Sequence, residues 1–571
     1  MEVASEGIKK RRRHRWLLWI GAALGLILVA LGVVVAIVMR RAEPMLRAVI
    51  VEKLEDRFHA RVELDSFHIS LVKGLWAEGK GLRIWPPAEV GGVTVPGGNA
   101  ADAANLASPL IQLDEFRFHA PLHYDPNKPI RISVVQLNGL WIDIPPKTHF
   151  THAAQTAGTG NSPAKKSLGT ALLHFVVNTI ECKDAHLTLE TSKPGKLPLA
   201  FDIAQLKLTD VSAEGPMHFD AQLTNPRPAG AIQTSGTVGP WDVEDPGETP
   251  IAGDYVFHHA DLGVFKGIAG IMESKGQFNG ALRNMNVDGT TDTPDFRLTN
   301  FGTALPLHTT FHAIVDGTNG DTWLRPVDAV LGRSSFTVEG EVIRSQAMMS
   351  ANGQELRPAG RDIALNVNVM HGRMEDFMRL TSKSGTPLLT GDLNLKTLLE
   401  IPPGKEPVHE RMKLSSGSFA LTDAEFSSEK IENYVGQLSL RGLGDAKEAK
   451  KDPGSDVASS MQSDFSMAGG VIKLPDLKYT VPGAEIDLAG KYGIEGSTLN
   501  FTGTARMQAT VSQIVGGWKG LLLKPADRLF KKDGAGTEVP IHVDGTREDP
   551  KFGVDFDRMK RTHPATPGQS Q

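Results

Sequence analysis

The chain reads as a mainly β protein: an array of antiparallel strands with few helices, behind one N-terminal transmembrane helix. Three observations predict this. Apolar and polar residues alternate with period two in many short runs, as in Met217-His218-Phe219-Asp220-Ala221-Gln222-Leu223 and Ile363-Ala364-Leu365-Asn366-Val367-Asn368-Val369. Such alternation gives a strand one dry and one wet face. Turn signals between the runs are dense, with 59 glycines and 35 prolines, both above ordinary usage. Finally, Trp16 to Met39 contains no charged residue, which is long enough to cross a bilayer core of about 20 helical residues.

Each element follows in chain order. Residues 1–15 form a basic tail with Lys9, Lys10, Arg11, Arg12, Arg13 and Arg15. Residues 16–39 are the expected span; Val38, Met39 and Arg40 make a poor cleavage site, so the segment reads as an uncleaved anchor. The basic cluster precedes it and only Arg40 and Arg41 follow closely, which predicts a cytoplasmic N-terminus and an exported remainder. Gly21 and Gly25 form a GxxxG pair, a helix-packing pattern, although glycine is common in such spans. Residues 40–86 hold an amphipathic helix, with Leu46, Ile50, Leu54 and Phe58 on one stripe, and then the first strands. Residues 87–260 read as an N-terminal β region with flexible insertions at 87–109 and 146–169, and residues 261–556 as a C-terminal β region. Residues 442–461 read as a linker or a short solvated helix, and 557–571 as a flexible tail. Helices are expected at Asp261–Glu273, Arg373–Leu380 and Val511–Phe530.

One phrase recurs. VDGTTDTPDF at 287–296 and VDGTREDPKF at 543–552 share six of ten positions, and VDGT returns at 315–318. Asp-Gly favours tight turns and the β-branched flanks favour strands. The phrases therefore predict hairpin turns with Gly289, Gly317 and Gly545 at positive φ, and Pro294 and Pro550 at an edge or strand start. A single VDGT alone is an ordinary hairpin signature.

Charge and motifs exclude several function classes. Residues 1–41 hold 8 Lys/Arg and 2 acidic residues, leaving 53 of the 61 basic and 64 of the 66 acidic residues for the rest. That acidic body, with no basic cluster outside the N-terminus, does not read as a nucleic-acid binder. Cys182 is the one cysteine, so no intrachain disulfide forms. His119/His123 and His308/His312 have i, i+4 spacing, but in strands such pairs sit about 13 Å apart, too far to share an ion. His149/His152 lies in a Thr/Ala stretch, and His258 and His259 point to opposite faces of a strand. There is no GxSxG, P-loop or CxxC. The expectation is no enzyme, no metal and no cofactor.

Several segments resemble the AsmA-like family: the span followed by PMLRAVIVEKLEDRFHARVELDSFHIS, then GQFNGALRNMNVDGTTDTPDF, AIVDGTNGDTWL, GGVIKLPDLKYTVPGAEIDLAGKY, and the closing GTEVPIHVDGTREDPKFGVDF. The resemblance implies an elongated, curved repeating β-groove, similar to bridge-like lipid transfer proteins, anchored in the bacterial inner membrane with its body in the periplasm. It implies carriage of phospholipid or another acyl-chain lipid for outer-membrane biogenesis, with envelope proteins as further partners and no catalytic residues. On that expectation the lipid-groove candidates are Met217, Phe219 and Leu223, then Ile363, Leu365, Val367 and Val369, then Ile486 and Leu488. Alternation alone is equally met by two sheets burying each other. That alternative is a closed β-sandwich acting as a structural or regulatory envelope-assembly factor.

Overall fold

The structure is a computed structural model. It describes most of residues 43–55, then 60–70, 76–85, 109–119, 130–144, 175–189, 199–381 apart from short breaks, 387–451, 457–515, and 536–554 apart from residue 548. The expected span, the stretches 86–108 and 145–174, His123, His149, His152 and the tail lie outside the described residues. No helix among the described residues is long and apolar enough to cross a membrane. The protein is mainly β, with few and short helices.

Two compact units divide the chain: residues 1–188 with 202–221, and residues 189–201 with 222–571. In the first, β1 (Val62–Ser70), β2 (Trp76–Ile84), β3 (Ile111–His119) and β4 (Ile130–Ile144) pair antiparallel in sequence order. The alternation of β1 puts Val62 and Leu64 inside, where they join Ala77, Leu82, Leu113 and Phe116 in one core. The described residues between 43 and 55 are helical, and Leu46, Ile50 and Leu54 of the expected stripe pack on that core. Phe58 lies outside the described residues. The strands β5 (Phe175–Leu189), β6 (Leu199–Thr209) and β7 (Met217–Pro226) contribute residues to both units.

The second unit is a long meander. Its strands are β8 (Ala229–Val238), β9 (Pro250–Asp261), β10 (Ile268–Ala269), β11 (Ile271–Ala281), β12 (Asn284–Leu298), β13 (Leu305–Val315), β14 (Thr322–Leu331), β15 (Ser334–Ser345), β16 (Met348–Met349), β17 (Glu355–Arg357), β18 (Gly360–Arg373), β19 (Leu389–Ile401), β20 (Lys413–Phe426), β21 (Ser460–Ala468), β22 (Val471–Val481), β23 (Ala484–Gly493), β24 (Thr498–Met507), β25 (Thr537–Thr546) and β26 (Pro550–Val554). Each pairs antiparallel with the next, except that β10 adds to β12 and β16 pairs only with β17, so that β9 meets β11 and β15 meets β18. The helices are α1 (Met374–Thr381), α2 (Val408–Arg411), α3 (Glu429–Gly442), α4 (Glu448–Lys451) and α5 (Val511–Val515).

Several expectations need correction. The helix expected over Asp261–Glu273 is a single 3-10 turn, Leu262–Val264, followed by β10 and β11. Gly267 and Gly270, both at positive φ, break any helix there. The helix α1 forms as expected, and α5 is the described part of the third. The helix α3 was not foreseen; its Val435 packs with Tyr479 and Val481, so tertiary burial fixes it. The linker 442–461 contains α4 and the start of β21.

The VDGT phrases are not three equivalent turns. Residues 287–290 lie inside β12, and Gly289 is not at positive φ. A Cβ at Gly289 would lie 2.7 Å from the Tyr255 hydroxyl and 2.9 Å from the Phe311 ring, so glycine is there to let side chains cross. After Val315 the chain does turn, but the positive φ falls at Gly320 rather than Gly317. Only Gly545 has the expected positive φ, 96°, yet it too lies within a strand, as the penultimate residue of β25, paired with Pro550 beside the turn into β26. Pro550 starts β26, whereas Pro294 lies within β12 at the register shift between Thr293 and Phe296.

Candidate functional site: an uncharged face of the second unit

Cross-strand partners carry one face of this sheet from strand to strand. Phe257, Ser274, Thr291, Thr309, Ala329 and Phe336 are partners in succession from β9 to β15. Phe336 continues to Val369, Leu395 and Phe419. Beside Leu395 on β19, Leu393 leads through Leu421, Met461, Tyr479 and Ile486 to Ala505. Phe501, Val543 and Phe552 close the series at β26. The paired residues of this face from β8 to β26 include no Asp, Glu, Lys or His among the described residues. Its charged residues among the described ones are Arg344 and Arg361, partners at one strand end, where Arg344 is turned to the Asn319 carbonyl; inward from that end the face is uncharged. The other face is polar, with Asn366, Lys396, Asp464, Lys478 and Asp487.

Aromatic side chains lie opposite glycines on the uncharged face: Gly253 with Phe278, Gly276 with Tyr255, Gly289 with Phe311, Gly417 with Phe465, and Gly490 with Phe501. At Gly417 a Cβ would come within 2.6 Å of the Phe465 ring. Each ring therefore lies against bare backbone, which keeps the face low and smooth. Burial pushes the Tyr255 phenol above its ordinary pKa and that of Tyr479 up to about 12, as a water-poor surface does.

Helices cover one end of this face. On α1, Phe377 meets Phe336 edge-on at 6.2 Å, and with Met374 it packs on Leu389, Leu393 and Leu421. On α3, Val435 packs with Tyr479, Val481 and Ala484. Toward the other strand ends, Ile363, Leu365, Val367, Leu399 and Leu488 are only half-buried. Among the described residues of this unit the only strands outside the meander are β16 and β17, whose Met348 and Met349 are 56% and 55% exposed; no second sheet of comparable size is present to bury the face.

The structure places the candidates as follows. Ile363, Leu365, Val367 and Val369 share the uncharged face of β18, and Ile486 and Leu488 share the same face on β23. Val369 is fully buried at 1% exposure and the others are half-buried. Met217, Phe219 and Leu223 lie on one side of β7, half-buried between exposed His218, Asp220 and Gln222. The sequence reading missed the glycine–aromatic pairs, whose signal is glycine at an apolar position of an alternating run. It also missed the cluster at the last strand, where Phe552 (55% exposed) meets Tyr434 of α3 at 5.7 Å.

Histidine positions carry no metal cluster: among the described residues no three metal-ligating side chains converge. His258 and His259 do not face apart as expected. His259 has φ 53°, and this bulge turns both toward Glu273, at 2.8 Å from His258 Nδ1 and 2.9 Å from the His259 N–H. His312 bonds Asp288 at 2.6 Å. Cys182 is buried, and burial pushes its thiol up to about 11, away from the reactive thiolate range. No family model, curated protein or solved structure matches the chain.

Proposed function

We propose that the protein is an inner-membrane-anchored periplasmic carrier or conduit for phospholipid, and that the uncharged face of the second unit is the floor of a repeating β-groove. The observation that carries this reading is one face that stays free of acidic residues, lysine and histidine from β8 to β26 without a second sheet of its own size. Acyl chains cost little to lay on such a face, whereas leaving it to water costs roughly 25 cal/mol per Å2 of apolar surface. The family resemblance of the segments quoted above supports the same reading, and nothing in it calls for catalysis or a cofactor. The closed-sandwich alternative needs a facing sheet, and the described strands do not supply one.

A photo-crosslinking residue at Val367, on the floor, and at Asn366, on the polar side, tests the proposal in living cells. Lipid adducts are expected at Val367 only. Equal lipid labelling at both positions, or none at Val367 in a working protein, overturns it. Val367→Glu is expected to stop lipid passage while Asn366→Glu leaves it intact.

A further inference from the structure

The two charged residues of the floor stand together. Arg344 on β15 and Arg361 on β18 are direct cross-strand partners at the strand end away from α1. Cα atoms paired in this way lie about 5 Å apart. Both side chains take the floor side, by the same alternation that places Val342 and Ile363 there. Like charges directly opposite on one face destabilise a strand pair, so their joint presence asks for a role other than pairing. Arg344 is held in place: its Nη1 donates to the Asn319 carbonyl at 3.0 Å, and its backbone N–H donates to the Asp321 carboxylate at 2.9 Å. It is half-buried, and burial lowers its pKa more than the nearby Asp321 raises it. A further negative charge beside it is therefore favourable. Arg361 is exposed, so a ligand lying on the floor can reach it.

The floor between this pair and α1 has room for one acyl chain. Val342, Ile363 and Ile401 form the first row inward, and Gly340, Leu365 and Leu399 form the second. Val338 and Val367 follow. Val369, next on the same face of β18, is buried and paired with Phe336, which meets Phe377 of α1. From Arg361 to Val367 the strand runs about 20 Å. An acyl chain filling one leaflet, half of a hydrocarbon core, spans about 15 Å. At the same strand end, just after Arg344, the chain enters β16 with its exposed Met348 and Met349, apolar side chains that adapt to what lies against them.

An apolar track that ends at two cations matches an amphiphile with a negative head. We propose that Arg361, with Arg344 fixed beside it, is a headgroup subsite that binds the phosphate of an anionic phospholipid whose acyl chain lies along β18. A guanidinium fork presents paired donors to two phosphate oxygens. The inference rests on the reading of the floor as a lipid groove and adds which lipid it favours. The paired floor residues include no Asp or Glu among the described residues to receive an ammonium group, so headgroups with net negative charge are preferred over zwitterionic ones.

The test reads the headgroups of the lipids captured by a photo-crosslinking residue at Val367 of the full chain in living cells. Adducts are expected to be enriched in anionic phospholipid by about threefold over the surrounding membrane, the effect of an exposed ion pair. Arg361→Gln is expected to return the ratio to that of the membrane, Arg361→Lys to keep most of the enrichment, and Lys396→Gln, on the polar face of β19, to leave it unchanged. Absence of any lipid adduct overturns the groove and the subsite with it. Adducts with the membrane's own headgroup ratio overturn the subsite and leave the groove standing. So does an enrichment that Arg361→Gln does not reduce, that Lys396→Gln reduces as much, or that Arg361→Lys loses as fully as Arg361→Gln. Inorganic phosphate titrated into the purified chain separates the two sources of the anion. Saturable phosphate binding that Arg361→Gln removes, without headgroup enrichment in cells, assigns the arginines to a free anion and overturns the lipid headgroup.

Discussion

Two hairpins of the second unit are built alike and closed differently. In the pair β14–β15, Leu324 faces Gly340, Val327 faces Val338, Ala329 faces Phe336 and Leu331 faces Ser334. Moving each residue 150 places along gives the pairs of β22–β23: Leu474 with Gly490, Leu477 with Leu488, Tyr479 with Ile486 and Val481 with Ala484. Both contain a proline inside the register shift, Pro326 and Pro475, where a missing N–H does no harm. The turns differ. Gly332 opens the first with φ 60° before Arg333, and Gly483 closes the second with φ 83° after Pro482; these are the positions glycine takes in type II′ and type II turns.

The helices meet these turns by different chemistry. On α1, the buried Asp376 accepts from the Arg333 N–H at 2.9 Å and the Ser334 hydroxyl at 2.8 Å, and Glu375 holds Arg333 at 2.6 Å and Arg373 at 2.9 Å. On α3, contact is made by one hydroxyl and by bare backbone: the Ser439 hydroxyl donates to the Pro482 carbonyl at 2.9 Å, and Gly442 lies against Gly483. One strand pattern thus accepts either an ionic or a steric clamp. The clamp, more than the strands, decides how each end of the sheet responds to mutation and pH.

The largest effect is expected at the steric clamp. A Cβ at Gly442 would lie 2.4 Å from the Gly483 carbonyl oxygen and 2.7 Å from its carbon, backbone atoms with no flexible side chain between to yield. We predict that Gly442→Val destabilises the unit by about 3 kcal/mol, the upper range for forced overpacking, and raises hydrogen exchange at the β22–β23 turn. Wild-type exchange and melting in this variant would show that the two turns are not clamped as described.

The ionic clamp is next. Burial alone raises the Glu375 carboxyl, but hydrogen bonds from its own backbone N–H, from Arg373 and from the Gly391 N–H outweigh it and hold its pKa below the ordinary value. A depressed folded pKa gives stability that is present above the unfolded value of about 4.3. That stability is lost as pH falls through the lower folded value. We predict that Glu375→Gln costs about 2 kcal/mol near neutral pH, in the range of hydrogen bonds to a charged group. The difference from wild type should shrink as the urea midpoint is followed into the acid range. A penalty that stays constant with pH would rule out the carboxylate as its source. The turn of β22–β23 has no carboxylate bonded to it among the described residues, so the Gly442→Val penalty should not vary in this way.

Period-two alternation made β7, β18 and β23 legible, because a sheet with one dry face imposes that pattern on each strand. The stripe of Leu46, Ile50 and Leu54 was legible for the same reason at helical period. What stayed hidden depends on partners far along the chain. VDGT at 287–290 reads as a turn, yet β11 and β13 pair across it and hold it extended. Gly289 answers to Tyr255, which is remote in sequence. The helix α3 owes its place to Tyr479 and Val481, which follow it by some forty residues. The 150-residue correspondence was invisible as identity because the repeat conserves cross-strand geometry and leaves residue types free. Leu331 and Val481 do the same work, as do Ser334 and Ala484.

A smaller effect is expected at Ser439, whose hydroxyl satisfies the Pro482 carbonyl while the side chain is nearly buried at 5% exposure. Ser439→Ala removes that donor without changing the shape of α3. We predict a loss of about 1 kcal/mol, read as a lower melting point. An equal loss in Ser439→Ala and Gly442→Val would mean that the hydrogen bond, not the close glycine contact, holds the second clamp.

The smallest effect separates charge from backbone within the first clamp. Arg333 contributes twice: its N–H donates to Asp376 at 2.9 Å, and its guanidinium reaches Glu375 at 2.6 Å. The guanidinium is 64% exposed, so water screens its charge, and exposed ion pairs of this kind are worth about 0–1 kcal/mol. Arg333→Lys keeps the backbone donor and the positive charge and loses only the planar fork. Glu375 keeps Arg373, whose Nε stands at 2.9 Å. We therefore predict a change of no more than about 0.5 kcal/mol, with the acid dependence of the clamp retained. A loss matching that of Glu375→Gln would show that Arg333, and not Arg373 with the Gly391 N–H, is what keeps the Glu375 carboxylate ionised in its buried place.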